Sequence, residues 1–162
     1  MTRTSALFLA LAACGTQDTS TLRAALDASD VSLRDTVALA EAATPGGRSI
    51  AARLHPGVTA EFSVGAVGDS TLHDVRIDLT GHVVSTRPAG SYTVGCTGSI
   101  SLSRAIEIAE AEVGGSAVAI EPDDDGPCNR EVQVLAGDTL WEVKVGPSGS
   151  VIETELSDET ED

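Results

Sequence analysis

The chain repeats itself, and that restricts its fold more than any other feature. Ser32-Leu33 recurs as Ser101-Leu102, 69 residues further on. At the same offset Val37-Ala38-Leu39-Ala40-Glu41-Ala42 faces Ile106-Glu107-Ile108-Ala109-Glu110-Ala111. Gly68-Asp69-Ser70-Thr71-Leu72-His73-Asp74-Val75-Arg76-Ile77 faces Gly137-Asp138-Thr139-Leu140-Trp141-Glu142-Val143-Lys144-Val145, where one residue is missing and the offset becomes 68. Gly81-His82-Val83-Val84-Ser85-Thr86 keeps that offset against Gly149-Ser150-Val151-Ile152-Glu153-Thr154. Order, chemistry and register hold over about 55 positions, which marks a duplicated structural unit.

Each copy opens with a helix. Ser32 is placed to cap it, and Asp35 three residues on completes a capping box. Leu33, Val37 and Ala40 fall on one helical face, as do Leu102, Ile106, Ala109 and Val113 behind the cap Ser101. Arg104 stands where the second box would need its acid. Pro45-Gly46-Gly47 and Gly114-Gly115 end the two helices. The hydrophobic period then switches to two: Ile50, Ala52 and Leu54; Ala60, Phe62 and Val64; a strand over 72–77; and a short one at Val83-Val84. In the second copy the strands fall near 116–121, 130–136, 139–145 and 150–155. Gly81 and Gly149 are placed for positive φ in matched turns. The expected fold class is α+β: two tandem repeats, each one helix packed on a four-stranded antiparallel meander sheet.

The N-terminus carries an export signal. Arg3 is a short positive region, and Ser5 to Ala13 is an apolar run too short to span a bilayer. Leu11-Ala12-Ala13-Cys14 resembles the lipobox of bacterial lipoproteins, in which Cys14 would be the lipidated first mature residue; the plainer alternative is an ordinary signal peptide cut elsewhere. With Cys14 acylated, Cys96 and Cys128 remain, and in an oxidising compartment they are the one intramolecular pair, as against two free buried thiols. The expected organisation is a signal peptide over 1–13, a lipidated Cys and tether over 14–29, repeat one over 30–89, a linker over 90–98, repeat two over 99–156, and an acidic disordered tail over 157–162. Leu22 to Ala28 has the pattern of a short helix. The chain is thus read as exported and membrane-anchored on the periplasmic or extracellular side.

The residues Ser32-Leu33…Ala40-Glu41-Ala42…Val75-Arg76-Ile77-Asp78-Leu79-Thr80-Gly81-His82-Val83 resemble the PepSY domain. So do Ser101-Leu102…Ala109-Glu110-Ala111…Val143-Lys144-Val145-Gly146-Pro147-Ser148-Gly149-Ser150-Val151. The second copy has Gly146-Pro147 where the family has Asp, so a different turn is expected there, without an Asx-type bond. The resemblance implies a non-catalytic module that inhibits or regulates a peptidase.

Charge narrows the partners. Net charge is −15. Residues 99–156 hold twelve acids and three bases, against seven and five over 30–89. Such a surface repels nucleic acid and anionic headgroups; it suits a basic protein or peptide partner, or simply keeps the chain soluble. Neither His-Glu-x-x-His nor Gly-x-Ser-x-Gly is present, so no enzyme and no cofactor are expected. Glu121, Asp123, Asp125 and Gly126 match the first positions of an EF-hand loop, but Val132 stands at the twelfth and strands flank it. A solvated loop is expected there, with Asp123 and Asp125 as weak Ca²⁺ candidates. Trp141 shares a strand face with Val143 and Val145: it either fills the second core or, if exposed, marks a binding patch. The reading is an exported, lipid-anchored binding module acting on an envelope or secreted peptidase. The alternative is a structural or adaptor envelope lipoprotein with no peptidase partner.

Overall fold

Both helix caps form in the computed structural model, which describes residues 18–93, 96, 99–124, 126 and 128–157. Helix α2, Leu33–Ala43, starts at a complete capping box: Ser32 Oγ accepts the Asp35 N–H at 3.2 Å, and Asp35 accepts the Ser32 N–H at 2.9 Å. Helix α3, Leu102–Val113, has only the first half of that arrangement, Ser101 Oγ accepting the Arg104 N–H at 3.2 Å. Gly114 ends α3 at φ 71°, a left-handed cap that glycine adopts without strain.

The strands are β1 Arg48–His55, β2 Glu61–Gly68, β3 Thr71–Asp78, β4 Val83–Ser91, β5 Ser116–Pro122, β6 Arg130–Ala136, β7 Thr139–Val145 and β8 Val151–Leu156. Each set of four is a meander, as expected. The two meanders are nevertheless not two sheets. β1 and β5 pair antiparallel, with Ala52 opposite Ile120 and Arg53 opposite Ala119. All eight strands therefore form one antiparallel sheet in the order β4-β3-β2-β1-β5-β6-β7-β8. β4 also runs to Ser91, well past Val83-Val84 and into the stretch read as a linker. Its polar Ser85, Thr86 and Arg87 hide it from a hydrophobic-pattern reading, because an edge strand is held by backbone pairing as much as by burial.

Directly opposed residues in an antiparallel pair share a face. Thr86, Val75, Val64, Ala52, Ile120, Val132, Val143 and Thr154 therefore form one row across the whole sheet. Its six apolar members are buried, with α2 and α3 side by side above them, in a single core continuous from β3 to β7. One core of small aliphatic side chains is a better solution than two, since a unit of about 60 residues buries proportionally little surface.

A further helix, α1 (Thr19–Asp27), lies within the stretch read as a tether. Leu22 is fully buried in the common core, and the Arg23 guanidinium donates to the Gly137 carbonyl. The segment 1–17, with Cys14 and the signal-type sequence, and residues 158–162 lie outside the described residues.

Candidate functional site

The other sheet face is turned away from α2 and α3. Its central row runs Ser85, Arg76, Ser63, Arg53, Ala119, Gln133, Glu142 and Glu155, and these side chains alternate with the core row. A neighbouring row is Glu121, Glu131, Lys144 and Glu153. The face is polar through its middle. Leu135 and Leu140, opposed across β6 and β7, form a buried apolar patch at one end.

Charge is balanced in the first half of this face. Arg76 bridges Asp74 and Glu61, both at 2.9 Å, and is half-buried between them. The second half is different. Ser63 faces Arg76, but at the matching point Glu131 faces Lys144. Lys144 is shared between Asp123 at 3.5 Å and Glu153 at 3.8 Å. Glu121 has Arg53 at 3.4 Å. Glu131 and Glu142, diagonal neighbours on β6 and β7, lie close enough for each to shift the other's ionisation. Burial, with Glu142, Glu121 and Asp123 close by, pushes the Glu131 carboxyl up to about 7. Burial raises Glu142 as well. Below about pH 7 a protonated carboxyl thus stands where the first half has the Ser63 hydroxyl.

His55 Nε2 and Ser63 Oγ are 2.7 Å apart on the same face. Local sequence does not bring them together; the β1–β2 hairpin does. Ser63 is only 6% exposed, and burial, reinforced by Arg76 and Arg53, lowers the His55 pKa. A nucleophile sunk that far into a strand cannot reach a substrate carbonyl, so the pair serves to satisfy two polar groups.

The singled-out residues scatter. Cys96 and Cys128 form a disulfide with Cα atoms 5.4 Å apart, fastening the segment after β4 to the loop between β5 and β6. Asp123 is buried, held by Asn129 Nδ2 at 3.1 Å and by Lys144. Asp125 lies outside the described residues. Among the described residues no three His, Cys, Asp or Glu side chains are grouped so as to hold a metal. Trp141 is half-buried on the helix side of β7, between buried Val134 and the edge residue Leu156, which is 54% exposed.

Two matched details link the halves. The Glu41 carboxylate accepts the Ser49 N–H at 2.9 Å, and Glu110 accepts that of Ala117 at 3.0 Å, so each Ala-Glu-Ala segment tethers its helix to the following strand. The Gly146-Pro147 turn also corrects an expectation. Its backbone bonds, Gly146 N–H to Ser150 O at 2.8 Å and Gly149 N–H to Gly146 O at 2.9 Å, repeat those of Asp78, His82 and Gly81. The turn is the same; the Asp78 side-chain bonds to Thr80 and His82 are what the second half lacks. Gly81 and Gly149, at φ 83° and 87°, fix the backbone path in both.

The β5–β8 half ends at β8, and the other half ends at β4; among the described residues these are the two edges of the sheet. No helix among the described residues is long and apolar enough to cross a membrane. No curated protein matches the chain. A crystal structure of a candidate lipoprotein from Clostridium difficile 630 superposes with a TM-score of 0.42 at 16% identity, over 67% of this chain and 82% of that one. Residues 99–157 match the family described as "Peptidase propeptide and YPEB domain". That matched stretch takes in α3 and β5–β8, so this part of the chain is similar in sequence to the PepSY family.

Proposed function

We propose that the chain is an exported, lipid-anchored, non-catalytic binding module that restrains or regulates an envelope or secreted peptidase by taking up an extended peptide at a sheet edge. One observation carries the reading: the sheet is long and continuous but open, so among the described residues β4 and β8 each present an outer row of backbone donors and acceptors that no further strand pairs. An exposed edge of this kind can hydrogen-bond a further strand, with backbone bonds supplying affinity and side-chain neighbours supplying specificity. The PepSY assignment of residues 99–157 favours a peptidase as the owner of that peptide.

In the same reading residues 30–89 are a second, diverged copy of the PepSY unit, fused edge to edge through β1 and β5. The matched Glu41 and Glu110 tethers and the shared turn backbones support this. Cys14 is the lipid attachment point, α1 follows the anchor directly, and the sheet is held at the membrane surface.

The test is capture followed by assay. The mature chain, disulfide formed, is immobilised, envelope and culture-fluid extracts are passed over it, and retained peptidases are assayed with and without added chain. The expected result is a retained peptidase slowed in proportion to added chain. Retention of non-peptidase proteins alone, with no peptidase slowed, overturns the regulatory reading in favour of an adaptor lipoprotein. Metabolic labelling with a fatty acid, compared with Cys14→Ser, tests the anchor separately.

A further inference from the structure

If the sheet takes up a strand, as proposed above, its two edges are far from equivalent. β4 contains Pro88, which has no N–H to offer, and Arg87, and it meets β3 with two register shifts. β8 has six residues, no Pro and no Gly, and one register shift. It is the edge better suited to a ladder of backbone bonds.

Side chains on β8 divide by face. Glu153 and Glu155 stand on the open face, beside Lys144 and Glu142. Leu156 stands on the helix face beside Trp141, and Ile152, at the register shift, is 53% exposed. Behind Glu153 and Glu155 the open face continues with Glu142, Glu131 and Glu121, and its nearest cations, Lys144 and Arg53, are already engaged with Asp123, Glu153 and Glu121. Charges on an edge strand commonly guard it against pairing with its own kind. Here the guard is selective. Two copies of β8 would oppose carboxylate to carboxylate, and an acidic strand would be repelled likewise. A strand carrying cations at alternate positions would be drawn in by the same side chains, because complementary charge decides partner choice and encounter rate more than final affinity.

We infer that β8 accepts, as a ninth strand, an extended segment in which cationic and apolar side chains alternate, the cations over Glu153, Glu155 and Glu142 and the apolar residues against Leu156 and Trp141. Both edges of the fold could take a strand by backbone alone, and β4 too has an exposed apolar residue, Val84; charge and a ladder without proline single out β8, and its two kinds of side chain fix which side of the incoming strand faces which way.

The experiment uses the full mature chain with its disulfide intact and two capped heptapeptides, one alternating Lys and Val, the other alternating Glu and Val. Trp141, the one tryptophan of the chain, is opposite Leu156 and reports binding by its emission. Hydrogen exchange reads protection of the amides over 151–156 and over 83–91. The Lys-Val peptide is expected to shift Trp141 emission saturably and to protect 151–156 but not 83–91. Its binding should weaken roughly three- to tenfold in the Glu153→Gln/Glu155→Gln double variant, and again on raising salt, as for solvent-facing ion pairs. The Glu-Val peptide should do neither. Equal protection of β8 by both peptides, or protection confined to β4, overturns the cationic preference or the choice of edge while leaving strand capture standing. Protection of neither edge by either peptide overturns strand capture itself.

Discussion

Glu110, on the last turn of α3, accepts the backbone N–H of Ala117 in β5 at 3.0 Å, and Ala117 is 1% exposed. That amide belongs to the strand just after the helix, where a bulge interrupts pairing with β6. Glu110→Ala would leave a buried donor without its partner, at a cost of about 1–3 kcal/mol. Glu110→Gln keeps an acceptor oxygen and should cost clearly less. Urea unfolding of the two variants decides this; equal losses would mean that charge, not the bond, is what Glu110 contributes. Glu41→Ala should behave in the same way through Ser49.

The Cys96–Cys128 disulfide closes a loop with sequence separation 32. In the chain-entropy account a loop of that size is worth about 3–4 kcal/mol. Reduction, or Cys96→Ser with Cys128→Ser, should lower the denaturant midpoint by a corresponding amount with the strand content retained. A midpoint unchanged under reductant would show that the bond does not constrain the unfolded chain.

Stability should fall as pH rises across the neutral range. The Glu131 carboxyl is raised from its ordinary 4.5 to about 7 in the folded chain, so the folded state holds a proton that the unfolded state releases earlier. The stabilising effect is complete below about 4.5 and is lost as pH climbs through about 7, where Glu131 becomes charged beside Glu142, Glu121 and Asp123. Because the side chain is half open to solvent, the swing is on the order of 1 kcal/mol. Thermal midpoints at pH 5 and pH 8 measure it. Glu131→Gln should flatten the profile and raise the midpoint at pH 8; a profile unchanged in that variant would assign the pH effect elsewhere.

Leu22 tests where the folded unit begins. It is fully buried although it lies in a stretch whose first residues are polar and small. Leu22→Ala should cost about 2–4 kcal/mol through the cavity left in the core. A cost under about 0.5 kcal/mol, the size of a surface substitution, would place α1 outside the cooperative unit.

Much of the architecture could be read locally. Ser32 and Asp35, Ser101, the glycines at 81, 114 and 149, and the period-two runs from Ile50 and Leu72 each specify their own few residues. The physics behind them, capping, positive φ and face alternation, acts over one to four positions. A short helix is legible over Leu22 to Ala28, and α1 spans Thr19–Asp27, but nothing local tells that Leu22 enters the core. The Gly146-Pro147 turn misleads a sequence reading because Asp78 looks necessary. The backbone path is fixed instead by Gly149 and by the pairing of β7 with β8.

The sequence by itself determined the order of one helix and four strands in each half, the face each strand residue takes, and the pairing available to two cysteines. The tertiary structure decided that β1 meets β5, so that the two meanders become one sheet with one core, bounded among the described residues by β4 and β8. It also decided that Glu131 lies against Glu142, and His55 against Ser63. The reason is range. A period of two tells which way a side chain points, but not which strand lies beside it. That choice depends on burying the largest continuous apolar surface, a property of the whole chain rather than of any segment.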